Sequence, residues 1–101
     1  MRDAYVYIMS NKSHRLYVGA TVDLPNRVRQ HKKGSYPNAF TARYNFDRLV
    51  YFEVVRPYAA ALSRERYVKG LLRSKKIAMI QADNPKWRDL SVHFDDLLMA
   101  R

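Results

Sequence analysis

Residues 5–19 read YVYIMSNKSHRLYVG, with the tyrosine triplets Tyr5-Val6-Tyr7 and Tyr17-Val18-Gly19 on either side of a polar turn. Apolar and aromatic side chains alternate with period two in both halves, which predicts a β-hairpin. A turn centred near Lys12 would put Tyr7 opposite Tyr17 and Tyr5 opposite Gly19. One face of the hairpin would then be aliphatic, while the other would stack tyrosines beside a glycine that leaves room for a ligand. Tyrosine also forms strands readily, so for the hairpin by itself a purely structural explanation stays equally open.

The remainder of the chain predicts one further strand and three helices. Asp23 is placed to cap the first helix, Pro25 stands in its first turn, and Gly34 follows its end at Lys33. The order ββαβαα predicts an α+β fold with a small three-stranded antiparallel or mixed sheet flanked by helices. We expect residues 1–82 to form the core, and residues 83–101 to form a C-terminal segment that packs on or extends from the same domain. The other predicted bounds are 49–55 for the third strand, 57–73 and 75–82 for two helices, and 94–99 for a final helical turn.

Charge is the most informative part of the composition. The chain of 101 residues has 19 Lys and Arg against nine Asp and Glu, a formal net charge of +10. Such an excess in one small domain favours a polyanionic partner, because each neutralised phosphate releases counterions. A generically basic, solvated surface is the alternative. Acidic residues are concentrated in the last 19 positions and bases in residues 54–82, so we expect the body to bind the anion and the tail to lie apart from it.

Composition and motifs also exclude several classes of protein. There is no cysteine, which excludes disulfides and thiolate metal sites. The chain begins without the apolar segment of a signal peptide and has no stretch near the ~18 apolar residues of a membrane span. We therefore expect a cytoplasmic protein without membrane association, as a monomer or weak dimer. No glycine-rich phosphate loop is present, and the three histidines are too scattered to predict a zinc site.

Two polar side chains extend the apolar stripe of the first predicted helix. Leu24 and Val28 define that stripe, and helical spacing continues it through Arg27 and His31. A guanidinium and an imidazole on an inward edge are not needed for packing. Arginine side chains do reach out of such positions to water, and a buried histidine is often merely hydrogen-bonded. A proton-carrying role for His31 in a cleft and a structural role both remain open.

Glu65 shows the same anomaly at the centre of the second helix's apolar stripe. Ala61, Leu62 and Val68 surround it at helical spacing. Burial of an uncompensated carboxylate costs several kcal/mol as an order of magnitude, so Glu65 needs a partner. Arg27 could supply it, or a divalent cation could. Mg²⁺ takes only one or two protein carboxylates and completes its shell with water and phosphate oxygens, so one isolated glutamate among many bases favours the metal.

Taken together, these residues resemble the GIY-YIG endonuclease superfamily, and most of all its small stand-alone bacterial members. The two tyrosine triplets correspond to the motifs that name the superfamily, with Tyr5 in place of the first glycine and Val18 in place of isoleucine. The resemblance covers about residues 4–91. It continues through the run Thr21 to His31, the segments 40–44 and 49–53, the pair Arg64-Glu65, and the segments 75–78 and 84–90.

The resemblance implies a role for each matching residue. Tyr7 would activate or orient the attacking water with help from His31, and Tyr17 would bind or polarise the scissile phosphate. Arg27 would stabilise negative charge on the phosphoryl group, and Glu65 would hold one Mg²⁺ or Mn²⁺ ion. Gly19 would let the backbone approach the substrate, and Asn84 would support the site. All five catalytic candidates are expected to line a single basic hollow.

The sequence therefore predicts a metal-dependent endonuclease that hydrolyses DNA phosphodiester bonds, for example in repair or recombination. No second DNA-binding module accompanies the resemblance, so specificity should be low or directed by the shape of the DNA. The alternative is a nucleic-acid-binding protein that retains the nuclease fold with weak or no catalysis. The predicted nucleic-acid contacts are Tyr5, Gly19, Arg43, Arg64, Lys69, Lys75, Lys76 and Asn84.

Overall fold

The computed structural model describes residues 2–34 and 44–94. Within these ranges the chain forms three strands, three α-helices and one 3-10 helix, in the predicted order ββαβαα. The strands form a single antiparallel sheet with the order β2-β1-β3, which confirms the α+β class and makes β2 an edge strand. The bounds are β1 Ala4–Ser10, β2 Leu16–Thr21, α1 Leu24–Lys32, β3 Arg48–Val55, α2 Tyr58–Lys69, α3 Arg73–Asp83 and the 3-10 helix Leu90–His93.

The β-hairpin is present, but its predicted register is wrong by two residues. The side-chain oxygen of Asn11 accepts hydrogen bonds from the backbone of Ser13 (3.0 Å) and Arg15 (3.1 Å), which moves the centre of the turn from Lys12 to Ser13. Tyr7 therefore lies opposite Gly19, whereas Tyr17 lies opposite Met9. Because the shift is an even number of residues, every side chain keeps its predicted face.

The sheet has a hydrophobic core on each face. Val6, Ile8 and Val18 project from the aliphatic face and pack with Ala61 and Val68 of α2. The tyrosine face carries a second core, in which Tyr7 and Met9 pack with Leu24, Val28, Phe46 and Leu49. Helices α1 and α2 therefore cover opposite faces of the sheet, which decides how the candidate site is divided.

Helix ends follow the predicted signals in α1 and depart from them later. Asp23 caps α1 by accepting a hydrogen bond from the backbone of Asn26 (3.3 Å), and Gly34 follows the helix with a φ of +68°. The second helix ends at Lys69, four residues before its predicted end, because Gly70 closes it with hydrogen bonds to the carbonyls of Arg66 and Tyr67. An extended Leu72 then starts α3 at Arg73 rather than at residue 75. Of the predicted final turn, residues 95–99 lie outside the described ranges.

The segment after α3 returns to the sheet through Asp89. Its carboxylate pairs with Lys32 of α1 (2.6 Å) and accepts a hydrogen bond from the backbone of Leu49 at 3.2 Å. The 3-10 helix packs against β3. Across residues 2–34 and 44–94, no helix is both long and apolar enough to cross a membrane.

Candidate active site

Tyr7 and His31 meet on the tyrosine face of the sheet. The Oη of Tyr7, on β1, lies 3.0 Å from Nε2 of His31, in the last turn of α1, across 24 residues of sequence. Tyr7 is 0% exposed and His31 2% exposed. The inward position predicted for His31 is thus observed, and its imidazole contacts a family-motif tyrosine rather than packing as an isolated core residue.

Tyr17 completes a cluster of three rings. Its ring centroid lies 5.1 Å from that of His31 and 6.3 Å from that of Tyr7. Tyr17 is half-buried, so it carries the solvent-facing surface of this cluster. A phenol, an imidazole and a second phenol therefore lie together with their polar atoms on the side of the sheet that α1 covers. This arrangement can move a proton within the cluster and present a hydroxyl at its edge.

Arg27 acts on His31 through its charge. Burial and, to a lesser degree, the positive charge of Arg27 lower the pKa of His31 from 6.5 to about 4. The imidazole is therefore neutral at pH 7, and Arg27 contributes to this because it lies one turn before His31 on the same helix. A neutral imidazole can accept a hydrogen bond from the Tyr7 hydroxyl at Nε2, whereas an imidazolium cannot.

The depressed pKa of His31 predicts how stability depends on pH. The unfolded chain takes up the His31 proton near pH 6.5, but the folded chain does so only near pH 4. The contribution of His31 is therefore fully present above pH 6.5 and is lost as the pH falls toward 4, by about 3 kcal/mol of unfolding free energy. Urea unfolding measured between pH 7 and pH 4 should show this loss. His31→Gln should flatten the curve and His93→Gln, at an exposed histidine, should not; equal slopes in all three proteins would contradict the assignment.

Gly19 makes room for Tyr7 rather than leaving an open space. A Cβ atom at position 19 would lie 2.5 Å from the Oη of Tyr7 and 2.6 Å from its Cζ. The two residues are direct cross-strand partners. The space beside the glycine, expected for an approaching ligand, is therefore occupied by the tyrosine ring that reaches His31.

Glu65 does not join the ring cluster. It lies on α2, whose core residues Ala61 and Val68 pack on the aliphatic face, and its carboxylate pairs with Lys69 at 2.7 Å. In the described contacts, Tyr7, Tyr17 and His31 are associated on one face of the sheet with Arg27 nearby, and Glu65 is carried by the helix on the other face. That all five residues line one hollow stays a prediction. Both helices adjoin the edge strand β2, since α1 follows it directly and α2 packs on it.

The Glu65 carboxylate has properties that suit a single metal ligand. Its side chain is 15% exposed, yet its charge is balanced by a lysine whose side chain is 50% exposed and free to swing into water. A divalent cation can replace such an ammonium and take its other ligands from water and phosphate. Within the described ranges there is no group of three or more Asp, Glu, His or Cys side chains that could hold a metal. Glu65 therefore stays a predicted ligand, as a single carboxylate.

The predicted nucleic-acid contacts fall into different environments. Arg64 is paired with Glu53 at 3.1 Å and Lys69 with Glu65, so both bases already have acidic partners. Asn84 is 5% exposed and bonds only to the main chain among the described residues, at Val50 and Arg88. It orders the segment after α3 rather than presenting its amide to a ligand. Tyr5 and Lys76 are half-buried, Lys75 is exposed, and Arg43 lies outside the described ranges.

Sequence reasoning missed two bases. Arg15 of the hairpin turn and Arg73, the first residue of α3, line one hollow with Leu16 and Lys76. Arg73 is one of the many bases of residues 54–82, but nothing in its spacing connects it to the hairpin. In the structure, Nη2 of Arg73 donates a 2.6 Å hydrogen bond to the carbonyl of His14, which is 59 residues earlier in the chain.

Comparison with known proteins identifies the family. The model of the GIY-YIG catalytic domain matches residues 3–78, which include both tyrosine triplets, Arg27, His31 and Glu65. The chain belongs to the GIY-YIG family. A UPF0213 protein from Syntrophus aciditrophicus is 33% identical over 86 residues, 85% of this chain and 98% of that protein. One from Haloquadratum walsbyi is 41% identical over 76 residues, 71% of this chain and 80% of that protein.

A solved structure supports the same conclusion. The solution NMR structure of the UPF0213 protein BH0048 from Bacillus halodurans matches this GIY-YIG chain with a TM-score of 0.54 and 29% identity. The match covers 86% of this chain and 92% of that protein. The relatives named here are UPF0213 proteins, a small group of the GIY-YIG type. Membership in a nuclease family implies a nucleic-acid substrate.

Proposed function

We propose that this protein is a divalent-metal-dependent endonuclease that hydrolyses DNA phosphodiester bonds, with low sequence specificity or with selection by DNA shape. The observation that carries the proposal is the 3.0 Å hydrogen bond between the Tyr7 hydroxyl and a neutral His31. Tyrosine has an ordinary pKa of ~10 and is a poor base, so its hydroxyl acts on the attacking water only when a neighbour holds it in position. Here the neighbour is present, unprotonated and in reach.

In this mechanism Tyr7 and His31 position the attacking water. Neutral His31 holds the Tyr7 hydroxyl by accepting its hydrogen bond at Nε2, and the Tyr7 oxygen in turn accepts a hydrogen bond from the water and orients it. Tyr7 has no exposed surface, so the water has to enter when the substrate binds against Tyr17. The ring of Tyr17 packs beside Tyr7 and His31 and excludes bulk solvent from their hydrogen bond, which strengthens that interaction.

Arg27 and Tyr17 act on the phosphate. The hydroxyl of Tyr17, which is half-buried at the edge of the cluster, donates a hydrogen bond to a phosphate oxygen. Arg27 adds a positive charge within electrostatic range of His31. Donors fixed in place before the reaction stabilise the charge that develops on the phosphoryl group.

Glu65 is the residue that would hold the metal ion. A bound Mg²⁺ or Mn²⁺ supplies Lewis-acid stabilisation of phosphate charge. Glu65 would hold the ion through its carboxylate, in place of its ion pair with Lys69. Lys69 then becomes available as a phosphate contact, which reconciles its predicted role with the ion pair seen here.

The direct test is a cleavage assay on a panel of labelled DNAs. Plasmid, blunt duplex, branched and single-stranded DNA should be incubated with Mg²⁺, with Mn²⁺ and with excess chelator. We expect nicking with either metal and none with chelator. Binding to every form with cleavage of none, across both metals, would overturn the proposal.

A Tyr7→Phe substitution should separate catalysis from binding. It removes one hydroxyl and keeps the ring, so we expect the cleavage rate to fall by about 10²–10⁴-fold, the range of general acid–base catalysis, with the Kd for uncleaved DNA within about twofold. Tyr51→Phe is the matched control, because it removes a hydroxyl bonded to Glu53 on β3. Equal losses of rate and affinity for Tyr7→Phe would instead show that the hydroxyl supports the DNA-binding surface and not the chemical step.

The complete burial of Tyr7 favours one second candidate. A phenol with no exposed surface also suits a nucleic-acid-binding protein in which the tyrosines are structural and catalysis is weak. Such a protein would bind DNA in chelator as tightly as in Mg²⁺ and would cleave none of the panel.

A further inference from the structure

A basic hollow lies at the tip of the hairpin, outside the ring cluster. It has a volume of about 220 Å³ and is lined by Arg15, Leu16, Arg73 and Lys76. It occupies the space between the start of β2 and the first turn of α3. Leu16 directly precedes Tyr17, so their side chains point to opposite faces of the sheet. Leu16 packs on the aliphatic face, and the hollow therefore lies next to the candidate active site but on that other face.

The three bases of this hollow are held together without an acidic partner. The four ion pairs in residues 2–34 and 44–94 use Lys32, Arg56, Arg64 and Lys69, and none involves Arg15, Arg73 or Lys76. Arg73 is fixed by its 2.6 Å hydrogen bond to the carbonyl of His14, and Arg15 lies 4.3 Å over the ring of Tyr44. Like charges held at one place repel, and an anion between them removes that repulsion.

The first turn of α3 adds to this positive field. Leu72 provides no side-chain cap, and the first turn contains no acidic residue. The backbone N–H groups at the start of the helix therefore have no side-chain acceptor, and the helix dipole is positive at this end. The anion that the three bases attract would also meet these donors.

An aromatic stack borders the hollow. The rings of His14 and Trp87 are 4.5 Å apart and nearly parallel, at 10°. Both residues have left-handed backbones, with φ of 58° and 55°, which is uncommon outside glycine and persists where the surroundings require it. His14 is exposed, so the ring face turned away from Trp87 can receive a further planar group.

We propose that this hollow binds a backbone phosphate of the substrate strand and that His14 stacks against the base next to it. The proposal rests on the nucleic-acid substrate of the proposed function, and it adds the form of that substrate. A base can stack on His14 only when it is unpaired, so DNA with a single-stranded segment is preferred over intact duplex. The hollow is a positioning site, which holds the strand so that a neighbouring phosphate reaches Tyr17.

Binding measured in excess chelator tests this without any need for cleavage. The probes are a fluorescent 12-nucleotide single strand and a blunt duplex of the same sequence. Arg73→Gln/Lys76→Gln should weaken single-strand binding at least tenfold and reduce the slope of log K against log salt by about 0.7, the value for one phosphate. Arg2→Gln/Arg66→Gln removes the same charge at exposed positions outside the hollow and should lose less than threefold. His14→Ala should weaken binding of the single strand but not of the duplex.

The outcomes separate this site from the proposed catalysis. Equal losses for the two double variants would show that charge acts diffusely and would overturn the site, even if the wild-type protein cleaves DNA. A selective loss for the Arg73/Lys76 pair would support the site, even if no DNA is ever cleaved. Thermal unfolding should be checked first. If the double variant does not fold, Lys76→Gln alone, at a half-buried side chain, should still weaken single-strand binding about threefold, and an unchanged Kd would overturn the site.

Discussion

Glu65→Gln protein should fold normally and cleave DNA at least about a thousandfold more slowly than the wild-type protein in saturating Mg²⁺. The amide keeps the size of the side chain but binds a divalent cation poorly, so the Lewis-acid stabilisation of the phosphate is lost. That stabilisation is worth several kcal/mol, and about 4 kcal/mol corresponds to a thousandfold in rate. Single-turnover cleavage of labelled DNA, with Kd measured separately in chelator, gives the result directly.

Glu53 supplies the matched control for Glu65. It too is a half-buried glutamate in an ion pair, with Arg64 at 3.1 Å, and its side chain is 25% exposed against 15% for Glu65. Glu53→Gln removes the same charge as Glu65→Gln does, but from strand β3 instead of helix α2. Partly exposed pairs of this kind contribute up to about 1 kcal/mol, so both variants should remain folded. Similar cleavage by the Glu65 and Glu53 variants would show that Glu65 is only a structural partner of Lys69.

Local patterns predicted the faces of the sheet but not its register. Alternation places Val6 and Tyr7 on opposite faces whatever the length of the turn, so both faces could be predicted. The register depends on whether the Asn11 side chain bonds two backbone N–H groups, which composition and periodicity do not encode. Helix α1 was predicted well, since the Asp23 cap and Gly34 are local signals. The end of α2 was predicted too late. The apolar spacing continues to Leu72, but Gly70 ends the helix before that residue.

The candidate site could be predicted as a set of residues but not as an arrangement. Motif spacing identified Tyr7, Tyr17 and His31. They meet in the structure because β1, β2 and α1 follow one another in the chain, and α1 packs on the face of the sheet that carries both tyrosines. Glu65 comes from a later helix on the other face, and only tertiary structure shows this. Arg15 and Arg73 carry no motif at all, and their proximity depends on α3 meeting the hairpin turn across 59 residues. Local chemistry is readable from sequence, whereas contacts between distant elements are not.

Gly19→Ala should destabilise the protein by about 3 kcal/mol and reduce cleavage as strongly as Tyr7→Phe. The new Cβ would lie 2.5–2.8 Å from the hydroxyl oxygen and two ring carbons of Tyr7, distances that no relaxed contact shows. Tyr7 is 0% exposed and packed in the core, so it cannot rotate into solvent. Overpacking of this kind typically costs about 1–3 kcal/mol, and displacing the hydroxyl from His31 adds the loss of a buried hydrogen bond. Urea unfolding and single-turnover cleavage measure the two effects.

Two further variants determine whether the clash with Tyr7 is the cause. Gly70→Ala is the matched control, because its Cβ would meet only the carbonyls of Arg66 and Tyr67 at 3.6 Å, an ordinary contact, and it should leave stability unchanged or raise it by about 0.4–1 kcal/mol. The second variant is Tyr7→Leu, which removes the hydroxyl oxygen and the two ring carbons nearest to Gly19. In that background Gly19→Ala should cost less than about 1 kcal/mol, since the two changes share one contact and their effects are not additive. A full 3 kcal/mol loss in the presence of Tyr7→Leu would show that Gly19 is required for the strand itself and not for the placement of the catalytic tyrosine.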